Sequence, residues 1–266
     1  MNTFQDYPIL EYDSCSTAIV NPKLKQPDQP VPVFAVACFF NNLLHRLAAE
    51  GRLREVYVLG SEIGKHPVYE LEEDGWKCLV FHPGVGAPLS AGLLDEMIAL
   101  GMRGVIACGG CGVLQKDIAA GHVVVLSAAV RDEGTSYHYL PPAREVLASE
   151  QATAALEDAC QEQQIPYLKG KTWTTDGLYR ETAARRALRV QEGCLVVEME
   201  AAAFFAVAQF RGVHFGQVVY GGDLVVPEGW DLREWHKRLD DRERLFWLAV
   251  RACAFLQARL ETKPGK

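Results

Sequence analysis

Apolar positions along the chain follow two rhythms, short unbroken runs and longer stretches spaced three and four apart. The run PVFAVACFF at 32–40 is continuous, which predicts a strand covered on both faces, with regular structure beginning at Val33. NNLLHRLAAEG follows, with Leu43, Leu44 and Leu47 at helical spacing and Gly51 as a stop. Strands are predicted at 55–59, 68–71 and 77–81. Residues 89–101 then repeat apolar side chains at Leu93, Leu94, Met97 and Ile98, the mark of an amphipathic helix that Gly101 ends.

Two buried strands are predicted at 104–110 and 122–130. Beyond them the pattern predicts a helix over 143–164, a strand over 167–172, a helix over 179–190 and a strand over 194–197. A strongly apolar helix over 198–212 and a strand over 213–222 come next. The last predicted helix covers 232–260, with Leu245, Leu248, Ala249, Ala252, Phe255 and Leu256 on one face. Residues 1–30 mix Asp, Pro, Lys and Gln without a period and are expected to form an irregular arm laid over a later core. Strands alternating with helices, several apolar throughout, predict an α/β fold in one domain, 31–266. Its sheet is expected to be mostly parallel, with helices on both sides.

Composition narrows the class. With 266 residues, 49% hydrophobic and 23% charged, the chain has room for one substantial core. A net charge of -7 argues against a surface that collects nucleic-acid phosphates, so a small-molecule ligand is expected and nucleic acid is not. No run of about 18 apolar residues occurs, and the first residues lack a basic segment followed by an apolar one; a cytoplasmic protein away from membranes is the expectation. The eight cysteines lie mostly in apolar stretches, as reduced buried thiols do. Cys108 and Cys111 have Cys-x-x-Cys spacing but no second pair, so no metal site or cofactor is expected.

In sheets of this kind ligands gather outside the carboxyl ends of the strands. Four segments are predicted to end strands with glycines or acids: HPGVGAP (82–88), ACGGCGVLQ (107–115), VVEMEAAA (196–203) and VVYGGDLV (218–225). Gly84 and Gly86, before Pro88 and Ser90, suit the offering of amides to an anion or a sugar hydroxyl, as do Gly109 and Gly110. Such turns are equally common as plain structural devices. Glu198 and Glu200 flank Met199 at the mouth of an apolar strand, where carboxylates are costly without partners; a first-turn helix charge is the simpler reading. Asp223 stands after two glycines, placed to protonate a leaving group or to cap the next turn.

Taken together these segments resemble the nucleoside phosphorylase superfamily. HPGVGAPLSA is similar to its Gly-Ile-Gly-x-Pro-Ser signature, and CGGCGVLQKDIAAGHVVVLSAAVRDEGTSYHY to the segment that follows. KTWTTDGLYRET and GCLVVEMEAAAFFAVAQFRGV resemble the base-binding loop and the Glu-Met-Glu ribose motif, in order across about 52–225. The resemblance implies a three-layer α/β/α sandwich around a mixed, largely parallel sheet, assembled as a homodimer or as a hexamer of three dimers. It implies cleavage of a nucleoside's N-glycosidic bond, with inorganic phosphate as co-substrate. Glu200 would accept hydrogen bonds from the ribose hydroxyls, with Met199 beneath the sugar and Glu198 beside it. Thr175 and Leu178 would meet the base, and Asp223 would protonate or hydrogen-bond it.

The chain departs from that family at the acceptor. Where phosphorylases carry a Gly-Asp-Pro-x-Arg loop the first strand runs into CFFNNLL, and the position of a second arginine is Ala107. A third falls near Gly64, beside Lys65 and His66. Lost guanidinium contacts weaken dianion binding, leaving glycine amides with Lys65, His66 or His82, or else water as acceptor, or a non-catalytic nucleoside-binding protein. Thr182 and Ala184 replace the Gln and Arg that read uracil, which favours a purine. Arg131, Asp132 and His138 lie in a stretch flanking the site, with no fixed role.

Overall fold

The computed structural model describes residues 4–22, 24–27 and 29–262. The chain begins with β1 (Phe34–Cys38), α1 (Asn41–Ala49), β2 (Leu53–Ser61), β3 (Gly64–Glu73), β4 (Trp76–Phe81) and α2 (Ala87–Ala99). It continues through β5 (Gly104–Val113), β6 (Val123–Asp132), β7 (Glu145–Leu147), α3 (Glu150–Glu162), β8 (Tyr167–Thr175) and α4 (Ala183–Gln191). β9 (Cys194–Glu198), α5 (Ala201–Arg211), β10 (His214–Val226), β11 (Gly229–Asp231) and α6 (Leu239–Glu261) complete it.

β1 shows why an unbroken apolar run marks a central strand. Its alternate residues Ala35 and Ala37 pack towards α2 and α5, while Phe34, Val36 and Cys38 pack towards α1, α3 and α6. Both faces are therefore covered, and the three-layer sandwich follows. The sheet is mixed, with its central strands in two parallel blocks. β4, β1, β5 and β10 run parallel as one block, and β6, β8 and β9 as a second. The blocks meet antiparallel at β10–β6 and again at β5–β9, closing a circuit of five strands. β2 and β3 add an antiparallel hairpin at the outer edge.

Several boundaries differ from those the pattern predicts, each for a local reason. The span 143–164 is not one helix. Val146 is buried in the short strand β7 beside β6, and α3 starts only after Ser149, whose side chain accepts from the Ala152 amide as a cap. The last helix starts at Leu239 rather than 232, because 229–231 pairs with β10 and Trp235–Lys237 forms a 3-10 turn. β5 does not stop at its glycines: Gly109 and Gly110 are ladder residues opposite Val219 and Tyr220. β10 likewise continues to Val226, with an irregularity between Gly221 and Leu224.

Within the arm, Pro8–Leu10 forms a 3-10 turn. Leu24 packs on the core face that holds α2 and α5, and the Tyr57 hydroxyl donates to the Lys25 carbonyl at 2.7 Å. Among the described residues no helix is long and apolar enough to cross a membrane.

Candidate active site

A cavity of about 780 Å³ opens where the five-strand circuit closes. Its wall is made by the ends of β5, β9 and β10, the start of α1, the turn after β8 and the segment 230–236. Glu200, Met199, Glu198, Asp223, Leu178 and Gly110 all line it, so both acids on which the sequence argument rests share one space.

Glu198 and Glu200 are two residues apart and do different work. Glu198 ends β9 opposite Thr174 of β8. Its Oε1 accepts from the Thr172 and Thr174 hydroxyls at 3.2 and 2.6 Å. Its Oε2 accepts from the Glu200 and Ala201 amides at 2.8 and 2.7 Å, at the exposed donors of the α5 N-terminus. Four protein donors occupy the carboxylate, which makes it a fixture of the β8–β9–α5 junction rather than a ready partner for sugar. Burial pushes its pKa up, against the pull of these hydroxyls and amides.

Glu200 precedes α5, and its Oε1 accepts from the Gly86 amide at 2.7 Å. That contact ties the loop after β4 to the loop after β9. It requires Gly86 at φ 87° and Gly84 at φ 80°; a Cβ on Gly84 would also stand 2.6 Å from the Leu89 side chain. The Gly86 amide is thus spent on Glu200 and does not face an anion. Burial, followed by the negative charge of Glu198, pushes the Glu200 pKa up to about 8.

Across the cavity the Trp230 indole Nε1 donates to Asp223 Oδ2 at 2.5 Å. Beside it stands Glu181, a residue the sequence argument passed over. Burial, followed by the charge of Asp223, raises its pKa to about 7, which leaves a proton available on the Asp223 side of the cavity. The signal was faint: Glu181 sits inside the quoted loop, directly before Thr182, whose hydroxyl caps α4.

The remaining expectations need correction. Thr175 is 1% exposed and off the cavity wall; its hydroxyl accepts from the Gly177 amide at 3.1 Å. Lys65 and His66 lie on the β2–β3 hairpin, away from the wall, with His66 Nε2 2.8 Å from the Ser61 hydroxyl. Gly109 is packed under Phe39, and His82 accepts the Gly84 amide through Nδ1. The anion-binding set assigned from sequence therefore does not converge, because its glycines are ladder or loop-tying residues. Arg131 donates to Ser136, Pro141 and Leu140, and Asp132 accepts from Trp173 and Arg185, so both brace the fold. His138 is exposed and outside the wall. Cys108 and Cys111, three apart on a strand, face opposite cores.

Two more lining residues escaped the sequence pattern. Arg242 of α6 donates from Nε to the Tyr220 hydroxyl at 3.1 Å, its guanidinium 5.6 and 5.2 Å from the Phe40 and Trp235 rings. Gln217 of β10 is 1% exposed.

A cavity with a buried acid pair on one side and a carboxyl of raised pKa on the other suits cleavage of a polarised bond. The phosphorylase superfamily model matches residues 34–253, and the chain belongs to that superfamily. Guanosine phosphorylase of Halorubrum lacusprofundi is 25% identical over 201 residues, covering 68% of this chain and 83% of that protein. Uridine phosphorylase of Treponema pallidum is 32% identical over 190 residues, 66% of this chain and 72% of its own. Among solved structures, AMP nucleosidase from Bacteroides thetaiotaomicron superposes with TM-score 0.69 at 23% identity, over 87% of this chain and 91% of that one.

Proposed function

We propose that the protein cleaves the N-glycosidic bond of a nucleoside, with a purine-type base favoured. One observation carries the reading: Glu200 and the pair Glu181 and Asp223 line a single cavity at the mouth of the sheet. As the bond lengthens the sugar becomes cation-like and the base anion-like, so the useful groups are those that meet charge at each end. Ionised Glu200 meets the sugar, whose developing positive charge itself favours the carboxylate form. Protonated Glu181 supplies the base with its proton, and Asp223, held by Trp230, hydrogen-bonds the base. Met199 and Leu178 give the sugar and base apolar walls.

Purine is favoured over uracil because Thr182, at a position that would read the pyrimidine edge, spends its hydroxyl capping α4. The volume also fits, lying within the roughly 300–1,000 Å³ of small-ligand sites. The names of the relatives supply inorganic phosphate as one acceptor and water as the other; the cleavage reading holds for either. A homodimer or hexamer in the cytoplasm, serving purine salvage, belongs to the same proposal by kinship. The test is a panel of purine and pyrimidine nucleosides incubated with the full chain, with and without phosphate, while free base is followed by chromatography. Base release from at least one purine nucleoside is expected, and none from any nucleoside would sink the reading.

A further inference from the structure

We propose that Arg242 of α6 is the centre of an anion-binding site on the cavity wall. Its ligand is a phosphate-type oxyanion, either free inorganic phosphate or a phosphate monoester carried by the nucleoside. The site lies outside the segments where the family resemblance implies arginines, and it adds a ligand to the cleavage reading on which it rests. Arg242 is half-buried, and aromatic groups fix its guanidinium. Its Nε donates to the Tyr220 hydroxyl at 3.1 Å, and its Cζ stands 5.6 and 5.2 Å from the Phe40 and Trp235 ring centroids. The Phe40 and Tyr220 rings are 6.0 Å apart, and the Tyr220 hydroxyl donates onward to the Trp235 carbonyl at 3.3 Å. Arg242 and these three residues all line the cavity. Cation–π contacts and one hydrogen bond to a neutral phenol orient a guanidinium without neutralising it.

What the guanidinium lacks is an anion. Its Nη groups make no hydrogen bond and pair with no carboxylate among the described residues, and neither is sealed from solvent. Asp241, its neighbour in sequence, is taken by Arg238, which donates to it at 2.9 Å. A charge drawn part-way out of water is stabilised by a counter-ion, and the paired Nη donors can take two oxygens of one phosphate.

The surroundings supply further donors. Asn41 and Asn42 follow Phe40 directly, and His236 follows Trp235; all three line the same cavity, and none makes a side-chain hydrogen bond among the described residues. Carboxamide and imidazole N–H groups can therefore complete the shell around an oxyanion that Arg242 holds. The carboxyls of the cavity do not forbid this. Burial raises the pKa of Glu181 to about 7 and of Glu200 to about 8, and raises that of Glu198, so near neutral pH the wall is less negative than its acids imply.

The test measures binding apart from turnover. The full chain is titrated by calorimetry at fixed ionic strength with inorganic phosphate alone, with adenosine and with adenosine 5′-monophosphate. The parent is expected to bind phosphate, or to bind the monophosphate at least about tenfold more tightly than adenosine, and Arg242→Gln to weaken that binding at least about tenfold. Binding of phosphate alone assigns the anion to a separate ligand; preference for the monophosphate without it assigns the anion to the substrate. A parent that binds neither in this way, or a folded Arg242→Gln that binds as the parent does, overturns the site. Should that variant not fold, Arg242→Met, which keeps an unbranched stem between the rings, is held to the same outcomes. Base release from the nucleoside panel is scored separately. Release by a protein without the anion site leaves the cleavage reading standing, and Arg242-dependent anion binding without release from any nucleoside leaves only the site.

Discussion

Two glutamates two residues apart, one saturated with donors and one tied to the Gly86 loop amide, illustrate how burial divides labour between like side chains. Glu198 is held by four protein groups, whereas Glu200 is held by Gly86 and raised to about 8 by burial and by Glu198. The sign of its pH effect in the proposed reaction follows: the Glu200 carboxylate, proposed to meet a cationic sugar, accumulates as pH rises towards 8, while the Glu181 proton, proposed for the base, is lost as pH rises through about 7. The free-enzyme profile of kcat/KM is therefore expected to be bell-shaped with its maximum between these values, and Glu181→Gln to remove the alkaline fall together with at least about tenfold of the activity. A monotonic profile in the unaltered protein would count against the pairing. Glu200→Gln and Asp223→Asn are each expected to reduce turnover at least about tenfold in folded protein, measured as initial rates of base release. At this scale the Glu-Met-Glu motif and Asp223 were legible in the sequence. Glu181 was not singled out, because a charged residue beside a helix cap looks solvated until the Asp223 side of the cavity is brought against it.

At the scale of elements, the junction of β8, β9 and α5 depends on Glu198 as much as on apolar packing. Glu198→Ala would strand two amides and the Thr174 hydroxyl in a buried place, so a loss of roughly 2–5 kcal/mol is expected. Chemical denaturation would register it, and a variant within about 0.5 kcal/mol of the parent would show that the junction is held otherwise. Most strands and helices were readable from periodicity, since apolar runs such as 34–38 and 104–108 are buried on both faces. The misread ones share a cause. The strand β7 is too short to carry a period, and only its pairing with β6 marks it. The glycines in β5 and β10 look like strand ends in a linear reading but are ladder positions.

For the whole molecule, closure of five strands into a circuit is what brings the ends of β5, β9 and β10 to one cavity. Exposed apolar side chains remain outside it, among them Ile19, Val20 and Ile63 at 105%, 87% and 76% exposure. Light scattering is expected to give a mass that is an even multiple of the 29.4 kDa chain, and a monomer at micromolar concentration would contradict it.

Most of the longer elements, the two-faced burial of the central strands and the Glu198 and Glu200 pair at the end of β9 were determined by the sequence alone, because periodicity and residue type are local properties. Only the tertiary structure decided which groups share the cavity. Gln217 beside Ala107, Glu181 near Asp223 and Arg242 against Tyr220 are neighbours made by strand pairing and helix docking, and no spacing along the chain encodes them.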